Sequence, residues 1–211
     1  RKHIVNYYGS KGMGEFPERL KPLSRSTVTD LKGYFPTYDE LNEAISGYKL
    51  TIFNPSAYLD DKHINTYIKE GQLALFNDQK QREFFLIGMM RVNYLKRLES
   101  SVRSFEISID RTIQKIKALL EKIKHFETNY VELNQEDLFF QLEDDEEDEL
   151  LEKLTVGKKL TIKLEHLNRE KWKKDLQRDL KQLVAIHEKA AAITPERDAK
   201  LQELKTLIAD K

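Results

Sequence analysis

Residues 84–126 read FFLIGMMRVNYLKRLESSVRSFEISIDRTIQKIKALLEKIKHF, and the spacing within them decides the fold. Leu95, Val102, Ile109, Ile116 and Ile123 fall seven residues apart, and Leu98, Phe105, Thr112, Leu119 and Phe126 fill the second seam position. Spacings that alternate three and four over this length predict one long helix that needs a partner along its whole seam. The other faces carry Lys96, Arg97, Glu99, Arg103, Glu106 and Asp110, so they look to water.

This helix is expected from about Gln79 to near Asn129, where the heptad is lost. Downstream, the acidic run EDDEEDE (Glu143–Glu149) reads as a solvated spacer. Mimicry of nucleic acid is the sharper alternative, and the adjacent Phe139 and Phe140 argue against it. A second helical block covers Asn168 to about Ala192, with Trp172, Leu176, Leu180, Leu183, His187 and Ala190 on one side. A last helix is expected to start at Thr194-Pro195, cap followed by proline, and carries Leu201, Leu204, Leu207 and Ile208. The simplest packing of the two long blocks is an antiparallel hairpin, which makes a monomer. A parallel homodimer through the first helix is the rival.

Upstream of the heptad the pattern is less regular. Arg1–Tyr8 reads as the end of a helix stopped by Gly9, and Gly9–Gly33 as a loop with a short strand near Leu23–Val28. Thr37 and Glu40 form a capping box ahead of an apolar face made by Leu41, Ala44, Ile45 and Tyr48. Asn54-Pro55-Ser56 punctuates and opens a short helix, and Leu59–Asn77 is one more, with Ile64, Tyr67, Ile68, Leu73 and Leu75 inward. The fold class is therefore mainly α: a long, antiparallel, coiled-coil-like hairpin with a small loop- and strand-containing N-terminal part. Its segments are 1–78, then 79–193 with an acidic connector at 132–167, then 194–211.

Bulk properties bound the function loosely. The chain has 211 residues, with 34% charged and 39% hydrophobic, a composition that suits long exposed helices. Its 36 basic and 36 acidic residues cancel, so only a local patch can attract phosphate. Without cysteine, disulfide and thiol chemistry are excluded. No apolar run approaches the roughly 18 residues of a membrane span, and no signal peptide is visible. These features fit a cytoplasmic protein with no membrane partner, and the missing initial methionine suggests a piece of a longer one.

Catalytic signatures are missing. There is no GxxxxGK[ST] loop, and Gly9-Ser-Lys-Gly12-Met-Gly14 reads as a flexible turn. His3, His63, His125, His166 and His187 include no HExxH, and Glu121 with His125 reads as a surface ion pair rather than a metal site. No serine sits in GxSxG. We expect no catalytic residue, no metal and no cofactor in this segment.

Met90-Arg-Val-Asn-Tyr-Leu-Lys-Arg-Leu-Glu-Ser-Ser-Val-Arg-Ser-Phe105 resembles a signature of bacterial Swi/Snf-like superfamily 2 helicases, approximately LMRVNLLKRLESSxxAF. Arg1-Lys-His-Ile4, Gly14-Glu-Phe-Pro-Glu-Arg19, Lys32-Gly-Tyr-Phe-Pro36 and Tyr38-Asp-Glu40 look like the end of that family's first RecA-like lobe. Asp198-Ala-Lys-Leu-Gln-Glu-Leu204 looks like the helix leading into the second. The resemblance covers roughly 1–108 and 195–211; residues 132–168 match nothing in it. It implies a non-catalytic segment between two motor lobes, which are its partners along with DNA. ATP and Mg would belong to the parent protein. The rival from another class is a coiled-coil module that recruits a partner protein, with residues 132–168 as the segment that orders on binding.

Within the signature, Lys96, Arg97 and Arg103 are the candidate backbone contacts to nucleic acid, since long cations position phosphates without reading sequence. The bland reading is a solvated or ion-paired face, with Arg103 flanked by Glu99 and Glu106. Counting back along the heptad puts Arg91 on the seam with Gly88 at the matching position. A seam arginine has to find a carboxylate or carbonyls, so Arg91 is expected as a structural anchor. Gly88 is expected to admit a close backbone. Phe84–Ile87 and Met89–Met90 are expected in the core.

Overall fold

Ser101 breaks the long heptad into two helices. In the computed structural model, which describes residues 21, 27–67, 73–125, 132–133 and 162–209, α3 spans Leu73–Ser100 and α4 spans Val102–His125. They are preceded by α1 (Tyr38–Ser46) and α2 (Asp61–Tyr67). After them come the paired strands β1 (Glu132–Leu133) and β2 (Ile162–Lys163), then α5 (Arg169–Ala191) and α6 (Ala199–Ala209). The expected helix at 1–8, most of the strand near 23–28, Phe126, the inward positions Tyr67, Ile68, Leu73 and Leu75, and the acidic run lie outside the described residues or side chains.

The break has a local cause. Ser101 N still donates to Arg97 O at 2.9 Å, the last bond of α3, and Phe105 N donates to Ser101 O at 3.1 Å, the first of α4. Ser101 Oγ accepts from Ser104 N at 3.0 Å, so this serine is the N-cap of α4. The chain then folds back: Tyr94 Oη lies 2.7 Å from Thr112 Oγ1, eighteen residues on. On a straight helix those residues would be about 27 Å apart. The single helix expected across residues 79–129 is thus a helical hairpin with a one-residue turn.

α4 also packs along α5, and these two run antiparallel as the seam implied. Glu106, early in α4, meets His187, late in α5, at 3.6 Å. At the opposite end Ile123 and Lys124 line one pocket with Leu167, Asn168 and Arg169. The α4 seam is buried throughout: Val102, Phe105, Ile109, Thr112, Ile116, Leu119 and Ile123. Facing it are Trp172, Leu176, Leu183, Ile186 and Ala190 of α5. The antiparallel β1–β2 pair, Glu132 with Lys163 and Leu133 with Ile162, closes the root of the connector between α4 and α5.

A non-helical stretch, Leu50–Leu59, packs against both α3 and α5. It contains two 3₁₀ turns, Thr51–Phe53 and Pro55–Tyr58, the second opened by Pro55 as the sequence indicated. Its backbone groups are satisfied by side chains of the helices. Thr51 N and Oγ1 donate to Asp179 Oδ2 at 2.7 and 2.8 Å, and Trp172 Nε1 donates to Thr51 O at 3.1 Å. Ser56 N and Oγ donate to Glu83 Oε2 at 3.2 and 2.5 Å, and Gln79 Nε2 donates to Glu83 Oε1 at 2.8 Å. The Thr37–Glu40 capping box starts α1 as expected. One hydrophobic core runs from Phe35 to Ala190 through these elements.

Three boundaries differ from expectation. Residues 73–77 belong to α3 rather than to a separate short helix, and α2 covers only Asp61–Tyr67. α6 begins at Ala199, not at Pro195: Thr194 O accepts from Arg197 N and Asp198 N in a turn, and the Asp198 carboxylate then accepts Leu201 N at 3.0 Å as the cap. On α3 the buried stripe is Gln79, Glu83, Leu86, Met90, Tyr94 and Leu98. Phe84 and Phe85, expected in the core, stand 75% and 59% exposed on the other side.

Glu83 gives the fold a pH dependence. Burial pushes its carboxyl up from 4.5 to about 7, against the bonds from Gln79 and Ser56 that favour the anion. A folded pKa above the unfolded one makes its contribution fullest below pH about 4.5 and lost as pH rises through about 7. At 1.36 kcal/mol per pH unit this is about 3 kcal/mol. His166, held below its ordinary value by burial and by His63, works in the opposite sense over the same range. Comparison with a Glu83→Gln variant isolates the carboxyl: urea midpoints should fall less between pH 5 and 8 in the variant than in the parent chain. Ser101→Ala should cost about 1 kcal/mol in the same assay, and Ser101→Asp should restore it.

Candidate functional site

Asp30 is a buried carboxylate with five donors. It lies in the loop before α1, where Lys32 N, Tyr34 N and Phe35 N donate to it at 3.0, 3.0 and 3.2 Å. Arg197, in the turn before α6, adds Nε at 3.1 Å and Nη2 at 2.6 Å. Asp30 is 1% exposed in its side chain and Arg197 18%. The Arg197 hydrogen bonds hold the Asp30 carboxyl well below the usual carboxylate range, with the loop amides of Lys32 and Tyr34 assisting and burial opposing. Arg197 also donates from Nη1 to Ala192 O at 2.8 Å and lies 5.6 Å from the Tyr34 ring centre.

The backbone completes this clamp. Leu31 N donates to Arg197 O at 2.9 Å, Ala199 N donates to Thr29 O at 3.4 Å, and Asp30 bridges Asp198 antiparallel. The incoming segment at 29–31 and the outgoing segment at 197–199 therefore run side by side at one end of the helical body. The α3–α4 bend lies at the same end. Lys200 Nζ donates to Glu99 O, and Phe35 meets Phe105 edge-on at 6.4 Å.

Lys96, Arg97 and Arg103 flank this bend. Lys96 is exposed and Arg97 half-buried on α3, while Arg103 on α4 is 72% exposed and ion-paired with Glu106. The geometry brings them to the base of the body but leaves Arg103 with its charge shared. Arg91 donates through Nη2 to Tyr48 O at 2.6 Å and so ties α3 to the second residue after α1; it finds a carbonyl rather than a carboxylate. Gly88 departs from expectation. It is exposed, and a Cβ there would meet nothing within 4 Å, because the heptad counted back across Ser101 does not describe the buried stripe of α3.

Asp30 and Arg197 were not singled out by sequence reasoning. The available signal was the Thr-Asp-Leu-Lys-Gly run, in which an aspartate accepts the amide two residues on and a glycine follows; Gly33 does adopt φ +69°. His125 pairs with Glu121 at 3.6 Å, and no group of three metal-ligating side chains occurs among the described residues. None of the described helices is long and apolar enough to cross a membrane. No protein family, characterised protein or solved structure matches the chain.

Arg197→Ala leaves Asp30 buried without its cation. Amide exchange should accelerate at Leu31, Lys32, Tyr34 and Ala199 while amides of Ile109, Ile116 and Leu176 keep their protection. Equal acceleration throughout would show that the clamp is not a local unit.

Proposed function

We propose that this chain is a non-catalytic helical module placed between the two lobes of an ATP-dependent DNA helicase or translocase. The observation that carries the reading is the Asp30–Arg197 clamp, which sets the incoming and outgoing segments side by side. Adjacent ends let a folded unit sit inside another protein without distorting it. The resemblance of residues 90–105 to the helicase signature supplies the family. The bend bearing Lys96, Arg97 and Arg103 lies at the same base, so the motif that carries the resemblance faces whatever the two segments continue into. In this reading the α3–α4–α5 body is a stiff lever, Arg91 and the clamp fix its root, and lobe movement is transmitted through the root. ATP and Mg bind the lobes of the parent protein, in the cytoplasm. The chain alone should show no ATP turnover with Mg·ATP, with or without duplex DNA; measurable turnover overturns the non-catalytic role.

A protein-recruiting module is the second reading. It is favoured by the exposed α3 face, where Phe84, Phe85 and Val92 surround the open Gly88. Light scattering separates the two. A monomer supports the lever, whereas a dimer abolished by Phe84→Asp supports the scaffold.

A further inference from the structure

We propose that the outer face of α5 is a binding site for the sugar–phosphate backbone of a nucleic acid, separate from the bend residues Lys96, Arg97 and Arg103. Between positions 171 and 181 the exposed residues of α5 are Lys171, Lys174, Gln177, Arg178 and Lys181. The helix has two aspartates in this stretch, and both point inward. Asp179 is fully buried and holds Thr51, and Asp175 holds the Tyr58 hydroxyl at 2.8 Å. Nothing acidic is left on the outer face between Glu170 and Glu188 to neutralise the cations.

Several of these cations are already positioned. Asp175 draws in Lys49 Nζ at 3.1 Å and Arg178 Nη2 at 3.2 Å, and Lys171 Nζ sits 6.0 Å over the Tyr58 ring. Lys49 and Arg178 keep about half of their side-chain surface in water while Asp175 holds one nitrogen of each. Two cations thus share a single carboxylate. Their preorganisation lowers the ordering cost of binding. Lys171 to Lys181 spans about 15 Å of helix, against 3.4 Å per phosphate along one strand of a duplex, so four side chains match about four phosphates.

The whole chain is neutral only because acid is concentrated at another place in the sequence. Seven of the 36 acidic residues form Glu143–Glu149, and the other 204 residues hold 36 basic side chains against 29 acidic. Local rather than net charge governs attraction to a polyanion. This inference deepens the nucleic-acid part of the function proposed above and is independent of its motor part, since binding through α5 needs no ATP.

The test is salt-dependent binding of the 211-residue chain to fluorescent duplex DNA and duplex RNA of the same sequence. Lys174→Gln/Lys181→Gln leaves the Asp175 cluster intact, and equal melting temperatures establish that it folds. Log affinity should fall with log salt at a slope of about −3 to −4, and the double variant should reduce that slope by about 2. Lys174→Glu/Lys181→Glu should weaken binding at least ten-fold, whereas Lys96→Gln/Arg103→Gln should change it little. DNA and RNA responding alike fits backbone recognition; preference for one places 2′-hydroxyl or groove shape alongside the phosphates. Absence of binding at low salt, or binding that the α5 variants leave unchanged, overturns the proposal. So does unchanged duplex binding combined with loss of binding to a synthetic Glu143–Glu149 peptide, which would make the face an acidic-peptide site. If binding holds while ATP turnover is found, only the non-catalytic reading fails.

Discussion

Ten residues of non-helical backbone, Leu50 to Leu59, have to be buried between α3 and α5, and this constraint shapes the rest of the molecule. A buried amide or carbonyl without a partner costs on the order of 1–3 kcal/mol. The helices therefore turn polar side chains inward: Asp179 and Trp172 hold the two backbone groups of Thr51, and Glu83 with Gln79 holds Ser56. Leu50 enters the stretch at φ 51°, a left-handed conformation unfavourable for leucine, and its side chain is fully buried there. Inward acids on α5 satisfy the 3₁₀ turns, and the exposed side chains between Lys171 and Lys181 are then cations and Gln177. A requirement of packing has thereby produced an electrostatic surface.

Much of the fold was legible in the sequence because it rests on periodicity. The seam of α4, the apolar side of α5 and their antiparallel pairing follow from spacings of three and four, and the Thr37–Glu40 box follows from local capping. The turn at Ser101 escaped because a one-residue connection preserves the seam spacing: Leu95 to Val102 is seven residues whether the helix continues or folds back. The signal was the Ser100–Ser101 pair, and serine is a preferred N-cap. Extending the heptad across that turn then misplaced Gly88 and sent Phe84 and Phe85 into a core that α3 builds instead from Leu86, Met90 and Tyr94. Inward aspartates are invisible to a reading in which charged residues face water. Asp30 and Arg197 stand 167 residues apart, so only the folded chain joins them.

The clamp, the α3–α4 bend and the start of α6 all lie at the base of the body, tied by Lys200 to Glu99. Asp30 fixes this base with donors from its own loop and from Arg197 together. The cationic stretch of α5, Lys171 to Lys181, lies on the half of that helix away from the root. In the proposed module a stiff body would carry movement of the root to that distal stretch.

The central claim is that the segments flanking the helical body leave it side by side. The cysteine-free chain accepts spin labels at Val28→Cys and Lys200→Cys without background labelling. Both positions are exposed, next to the Thr29–Ala199 hydrogen bond. Strong dipolar broadening in the doubly labelled chain, lost on Arg197→Ala, is the predicted result. Spectra that equal the sum of the two singly labelled chains would contradict the account.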